Sequence, residues 1–317
     1  MWTIKQPPKI IFGKNSVKKF LFPEKCLVIT SKGANSRGWL EYAGLSNQMI
    51  FDQVESNPSL ETTEKIITKF QNSDFSHIIG IGGGSSMDVA KFCAYKMNKL
   101  KIIIPTTFGS GSEVTRISVL KVNGKKKSFH EDRIFADIAI IDSYFIENSP
   151  EEIIKNSVID ACAQCTEAFD SKLANPYTKF FCYSAFELLE EGVLTHNYEK
   201  IVRGSLLDGL GFGNSSTTLG HALSYVYSNE GISHGHALAF TTTVAHNFND
   251  SIFYERFLKI VKKLDFQNIT LKQNLDEAAN DILLDKKHLD NNQKKVTKNE
   301  IKKLLKIINE NKFDQIF

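Results

Sequence analysis

With 317 residues, 42% of them hydrophobic and 24% charged, the chain has the apolar material for a buried core and the length for two domains. A formal net charge of +3 is too mild for a nucleic-acid footprint, and no apolar run approaches the roughly 20 residues of a membrane helix, so neither nucleic acid nor membrane is expected as a partner. The opening MWTIKQPPKIIFG lacks the apolar stretch of a signal peptide, and five cysteines suit reduced thiols better than a disulfide framework, so a cytoplasmic protein is expected.

Residues 4–12 form an expected edge strand, because Pro7 and Pro8 cannot donate to a central ladder. Cys26 to Thr30 is a short buried strand, closed by Ser31-Lys32-Gly33 and followed by helical sequence to about Tyr42. A strand over Gln48 to Phe51, a helix over Ser59 to Gln71 and a strand over Ile78 to Ile81 continue the alternation, and 117–142 holds two more short strands, SVLKV and ADIAIID. This order predicts a parallel, doubly wound α/β sheet over residues 1–149. Ser149-Pro150-Glu151-Glu152 has the cap, proline and acids of a helix start, and from there to residue 317 the spacing is helical: 151–173, 177–193, 199–212, 215–227, 235–248, 252–264, 271–283 and 297–311. The lysine- and asparagine-rich 286–300 is expected to be a solvated connection.

Ile78 to Lys91, IIGIGGGSSMDVAK, runs a strand through Gly82, Gly83 and Gly84 into a helix. Glycines there allow close backbone approach, and the N–H groups at a helix start favour an anion such as a diphosphate, although a tight strand-to-helix connection would use the same residues. Ser85 and Ser86 add hydroxyls, and Asp88 suits the positive end of the helix. A second strand ends in Pro105-Thr106-Thr107-Phe108-Gly109-Ser110-Gly111-Ser112-Glu113, so two donor-rich loops are expected together at the carboxyl ends of their strands. In the helical half, Asp160 and Gln164 stand at i and i+4, while His221 and His234 lie in TTLGHALSY and ISHGHALAF. A carboxylate and two imidazoles suit a divalent Lewis-acid cation; the alternative is buried polar groups satisfied by neighbours. Cys162 and Cys165 form a C-x-x-C inside a helix, where redox or zinc duty is not expected. His236 is a candidate substrate contact, whereas His77, His130, His246 and His288 have no partner pattern and are assigned to surface or structure.

GGGSSMDVAK followed by PTTFGSGSEVT resembles the paired cofactor loops of the iron-containing (group III) alcohol dehydrogenase family, whose superfamily includes glycerol dehydrogenase and dehydroquinate synthase. The resemblance implies a dehydroquinate synthase-like fold, an α/β dinucleotide-binding domain followed by an all-helical metal- and substrate-binding domain, and a homodimer. It places NAD or NADP against Gly82, Gly83, Gly84, Ser85, Asp88, Thr106, Thr107, Ser110 and Ser112, with Ser31, Asn57 and Lys127 as further contacts. It places one divalent metal, iron or zinc, on Asp160, His221 and His234. Gln164 stands where the family usually has another metal-binding histidine, and is either a fourth ligand or an outer contact. Tyr225 replaces a histidine near the nicotinamide and becomes a candidate proton donor. Ser31 stands where an acid often meets the adenosine ribose, which opens NADP beside NAD.

The stretch TTLGHALSYVYSNEGISHGHALAF looks most like the branch of phosphonoacetaldehyde reductases of phosphonate biosynthesis. That implies reduction of phosphonoacetaldehyde to 2-hydroxyethylphosphonate, with Lys172, Lys179, Arg203 and Arg116 as available cations for the phosphonate. A reductase of another small aldehyde, a polyol dehydrogenase, a dehydroquinate-synthase-like lyase and an inactive cofactor-binding descendant are the rival readings. The chain is shorter than the family usually runs, with the missing length in the helical half.

Overall fold

The computed structural model describes residues 1–312. The chain divides into two compact units, one of Lys5–Pro150 and one of Glu151 onward together with Met1–Ile4.

The first unit holds β1 (Ile10–Phe12), α1 (Ser16–Lys19), β2 (Cys26–Ile29), α2 (Lys32–Ser36), α3 (Trp39–Tyr42), β3 (Met49–Phe51), α4 (Leu60–Phe70), β4 (His77–Gly82), α5 (Gly84–Met97), β5 (Leu100–Pro105), β6 (Ile117–Val122), β7 (Lys125–His130), β8 (Ile138–Ile141) and α6 (Tyr144–Glu147). Six strands make a parallel sheet in the order β1-β8-β5-β4-β2-β3. Its inner strands read as unbroken apolar runs because both faces are covered: Cys26 to Ile29, Ile78, Ile79, Ile81 and Ile102 to Ile104 are all buried. Pro7 and Pro8 fall outside β1, which begins at Ile10 and lies at the sheet edge. The ribbon β6–β7 is antiparallel and separate, and its second strand, KKKSFH, was not among the expected strands. Lysines on an exposed ribbon hide its alternation from a reading that looks for buried faces. Ser59 caps α4 by accepting from Thr62 N.

The second unit is helical among the described residues: α7 (Glu151–Asp170), α8 (Pro176–Thr195), α9 (Tyr198–Phe212), α10 (Leu219–Asn229), α11 (His234–Asn249), α12 (Tyr254–Leu264), α13 (Leu275–Leu283), α14 (Lys286–Asn291) and α15 (Lys298–Asn309). Helix α7 packs against α8, α9 and α11, and α10 against α11. Asn175 and Thr297 form capping boxes that start α8 and α15. The Ser149 hydroxyl donates to Phe145 O at 2.8 Å, so it serves the turn before α7. Residues 286–300 depart most from expectation. They include α14, with His288, Leu289, Asn291 and Asn292 buried. Asn291 Nδ2 donates to Ser215 O and Thr217 O at 3.0 and 3.1 Å, and its Oδ1 accepts from Leu173 N. An amide side chain that satisfies loop carbonyls is as good a reason for burial as an apolar one.

Candidate metal centre and dinucleotide loops

Helix α7 brings Asp160, Gln164 and Glu167 into one region of its surface through spacings of four and three. His221 lies in the first turn of α10, and His234 opens α11. The carboxylate oxygen and the two imidazole nitrogens all lie within 4.8 Å of one another. Both Nε2 atoms stand 3.8 Å from Asp160 Oδ1, too far for hydrogen bonds. Zinc-type bonds of 2.0–2.1 Å would set neighbouring donors about 3.3 Å apart, so a small cation would draw the two 3.8 Å separations in by about 0.5 Å and the third, within 4.8 Å, by up to about 1.5 Å. His221 Nε2 is buried without a hydrogen-bond partner, an orphan atom that such an ion would satisfy.

Glu167 explains how His221 is aimed. Its Oε2 meets His221 Nδ1 at 2.5 Å, which leaves Nε2 as the free pole. The same carboxylate accepts from Gly220 N, Thr218 Oγ1 and the amides of Thr218 and His221. A Cβ on Gly220 would lie 2.7 Å from Glu167 Oε1, so only glycine permits this approach. Burial opposes the charge on Glu167, but His221 and the surrounding donors outweigh it and hold its carboxyl at about 2. Burial likewise opposes an imidazolium at His221, but Glu167 and Asp160 outweigh it and raise the ring to about 9, so a cation taking Nε2 would displace a proton from it. On the other side, Asn156 Oδ1 accepts from Ser233 Oγ and His236 N at the start of α11. A Cβ on Gly235 would lie 2.0 Å from Asn156 O, so glycine lets α11 pack hard on α7 beside His234.

Gln164 Nε2 donates to Asp160 Oδ1 at 2.9 Å, while its Oε1 is buried without a partner. As placed, Gln164 holds Asp160 and does not share its oxygen with that carboxylate. The Tyr225 ring lies parallel to His234, at 6.1 Å and 5°, and burial pushes its phenol well above the usual range. His236 corrects an expectation: Nε2 bonds to Gln267 O at 2.5 Å and the ring stacks on Phe266, so it is spent on the 266–267 segment. Three expected phosphonate partners are engaged elsewhere, Lys172 on Asp290 O, Arg203 on Glu199 and Arg116 on Asp132; Lys179 lies over the Phe169 ring. Cys162 and Cys165 are buried in mid-helix, where burial raises their thiols well above the usual value, as an inert pair requires. His246 bonds Thr166 Oγ1 at 2.8 Å and is structural. His288 is the histidine that the sequence reading misplaced: its ring lies 6.2 Å from His221 and 5.8 Å from Tyr225.

In the first unit, Gly82 pairs with Pro105 and accepts from Thr106 N at 2.9 Å, which brings the two expected loops side by side. Positive φ belongs to Gly82, at +151°, where a Cβ would also lie 2.8 Å from Ser86. Gly83 has φ −77° and caps α5 with no side-chain cap bond. Cβ atoms on Gly83 and Gly84 would stand 3.1 Å from Thr107 Oγ1 and from Ser110. A bare, uncapped helix start beside two hydroxyl residues is a fitting cradle for a diphosphate. Thr106 Oγ1 is buried there without a partner. Ser85 lies in the first turn of α5, just after Gly84. Asp88 is a correction: it lies beyond the first turn and is buried, accepting from Ser112 Oγ at 2.6 Å and Val119 N at 2.9 Å. Asp88 and Ser112 therefore brace the loop, as does buried Lys91, which donates to the carbonyls of Ser112, Thr115 and Ile117. Ser31 caps α2 by accepting from Ala34 N, Asn57 holds a left-handed turn at φ 52°, and Lys127 lies on β7 over Phe129.

Residues 7–143 match the family model described as iron-containing alcohol dehydrogenase, and residues 154–284 match the model of the Fe-containing alcohol dehydrogenase family, C-terminal. The chain is 36% identical over 209 residues to the 4-hydroxybutyrate dehydrogenase of Clostridium kluyveri, a stretch covering 57% of this chain and 56% of that enzyme. It is 26% identical over 282 residues to the sulfoacetaldehyde reductase of Bilophila wadsworthia, covering 76% and 73% of the two chains. Its fold is that of the sulfoacetaldehyde reductase from Bifidobacterium kashiwanohense solved in complex with NAD+, with TM-score 0.86 at 23% identity over 97% of this chain and 98% of that one. The two models match in order and together span most of the chain, and the chain belongs to the iron-containing alcohol dehydrogenase family.

Proposed function

We propose that the protein is a metal-dependent, NAD(P)H-linked reductase of short aldehydes that carry an anionic end group, with phosphonoacetaldehyde, reduced to 2-hydroxyethylphosphonate, as the leading substrate. The observation that carries this reading is the Asp160–His221–His234 group with its buried, partnerless Nε2. Two relatives support an anionic substrate by their names, since hydroxybutyrate bears a carboxylate and sulfoacetaldehyde a sulfonate. When bound, the cation supplies Lewis acidity toward a carbonyl oxygen and the nicotinamide supplies hydride. The chain's own residues do the rest. Glu167 keeps His221 in the tautomer whose Nε2 is free, and Gln164 fixes the Asp160 carboxylate. Tyr225, kept protonated by burial, is a hydrogen-bond donor beside His234 for an oxygen that gains negative charge. The Gly82–Gly84 turn, with Thr106, Thr107 and Ser110, holds the diphosphate. A carboxylate and two imidazoles brought together, with Glu167 orienting one of them, favour catalysis over an inactive scaffold.

The test is metal analysis of the purified protein together with NADH and NADPH oxidation over small aldehydes. Charge-assisted contacts contribute about 1.5–3 kcal/mol each, so two of them give phosphonoacetaldehyde a kcat/KM at least roughly a hundredfold above that of propanal. Equal constants for the charged and uncharged aldehydes at low salt would sink the anionic reading. Absence of net NAD(P)H turnover with every aldehyde would sink the reductase.

A further inference from the structure

Helix α14 follows the turn that contains Asp285, and its residue His288 is buried. Asp285 Oδ2 bonds His288 Nδ1 at 2.6 Å, and Asp285 Oδ1 accepts the His288 amide. The segment is fixed from behind by Asn291, which bonds the carbonyls of Ser215 and Thr217 just before α10. The His288 ring is nearly parallel to that of the candidate ligand His221, at 19° and 6.2 Å, and 5.8 Å from Tyr225, which in turn faces His234. With Nδ1 committed to a carboxylate, Nε2 is the only polar pole left, and it takes no hydrogen bond from any described residue. Four rings, those of His221, His234, Tyr225 and His288, thus stand together, two carrying candidate ligand atoms and one carrying an unspent nitrogen about one ring-stack away.

We propose that His288, oriented by Asp285, is a specificity-determining residue of this site whose Nε2 hydrogen-bonds the anionic end group of the substrate. This rests on the aldehyde-reductase reading of the same site. A two-carbon aldehyde with an oxyanion at its far end spans about 4–5 Å between terminal oxygens, from bond lengths near 1.5 Å. That reach suits a molecule whose carbonyl oxygen is at the Asp160–His221–His234 group and whose head is at His288. With Nδ1 held by the Asp285 carboxylate, the ring is fixed in orientation and Nε2 is the one nitrogen it presents to a substrate end group. The four lysine and arginine side chains expected for this task are engaged elsewhere.

The experiment measures binding of 2-hydroxyethylphosphonate, 4-hydroxybutyrate and 1-propanol by calorimetry, on purified protein of known metal content with saturating NADH or NADPH, a dead-end combination that permits no turnover. Wild type should bind the two anions more tightly than 1-propanol. His288→Leu should weaken both anions roughly tenfold or more, as loss of one charge-assisted bond does, and leave 1-propanol unchanged. His288→Gln, which keeps a donor of similar reach, should retain most of the anion affinity, and His288→Asn, polar but too short, should lose it; this pair carries the test if the leucine variant folds poorly. Asp285→Asn should weaken the anions selectively as well. Anion binding by the leucine or asparagine variant equal to wild type overturns the proposal, as does equal loss of anions and 1-propanol, or a wild type without preference. Because binding is read without turnover, a protein that reduces no aldehyde yet binds anions through His288 overturns only the reductase reading.

Discussion

Glu167 is at once the partner of His221 Nδ1 and the acceptor for the Gly220 amide and the Thr218 hydroxyl, so its carboxylate orients a ligand and seats the start of α10. Glu167→Gln should preserve much of the seat while losing the charge on Nδ1, and lower metal affinity roughly ten- to hundredfold, read by competing zinc or cobalt against a chelator. An unchanged affinity would show that His221 needs no orienting carboxylate. A second residue-level prediction concerns Glu113, 2% exposed, whose carboxyl burial raises to about 7 against the opposing pull of its own backbone N–H and of Lys91. A folded value above the unfolded 4.5 means the folded state holds the extra proton between pH 4.5 and 7, so its contribution to stability is full below 4.5 and lost as pH rises toward 7. Glu113→Gln should therefore flatten the stability profile over that window and be the more stable protein at pH 8, by up to about 3 kcal/mol. Parallel denaturation curves for the two proteins at pH 5 and pH 8 would refute it. Asp160, His221 and His234 were singled out by the family resemblance, since their residue types and spacing alone also suit buried polar groups satisfied by neighbours, the role His246 has; the structure brings the three within 4.8 Å of one another. Glu167 was not read, since an acid seven residues past Asp160 looks like any solvated charge until its face is known; its placement two turns along, on the same face, was the usable signal. Asp88 was misread because the helix start was placed too late: α5 begins at Gly84, which carries the carboxylate past the first turn and into the core.

The β4–α5 turn and the loop after β5 act as one element, joined by the Thr106–Gly82 bond and by the contacts a Cβ would make across them. Gly83→Val tests that element with little backbone strain, because φ is −77° there and valine tolerates it. Its branched side chain would press on Thr107, whose Oγ1 is only 3.1 Å from the nearest possible Cβ, and fill the turn that a diphosphate needs. Dinucleotide binding should be abolished with the helical unit still folded, checked by fluorescence titration with NADH and NADPH and by circular dichroism; unchanged cofactor affinity would remove the turn from the site. Gly82→Val should do worse, adding strain of about 1–3 kcal/mol at φ +151°. The glycine run announced the turn but not which glycine carries the unusual φ, because all three share one composition. Helix α14 shows the opposite failure. Lysine and asparagine suggested solvation, whereas Asn291 and Asn292 are buried by their hydrogen bonds to Ser215, Thr217, Asn249 and Lys294. Composition records what a side chain costs to bury, not which partner will meet it, and so it hid His288 as well.

At the scale of the molecule, each unit buries its own core, and the two candidate sites are drawn from different units. The metal group takes one residue from each of α7, α10 and α11, so an ion there ties three helices of the second unit, while the diphosphate cradle is made of β4, α5 and the loop after β5 in the first. Anything that binds the folded state alone stabilises what it binds by about 2.7 kcal/mol at a hundredfold excess over its Kd. Each ligand should then leave its own print in amide hydrogen exchange. Restoring zinc or iron to chelator-treated protein should slow exchange in 151–170, 219–229 and 234–249, because opening any of these helices must first release a ligand. NADH or NADPH should slow exchange in 78–91 and in the loop from Pro105 to Thr115. The match to two family models, one per half, makes the same division from sequence alone. Protection of 78–91 by metal without nucleotide, with the three ligand helices unmoved, would show that the ion binds somewhere other than Asp160, His221 and His234. Nucleotide protection confined to the helices would likewise take the diphosphate away from the glycine turn.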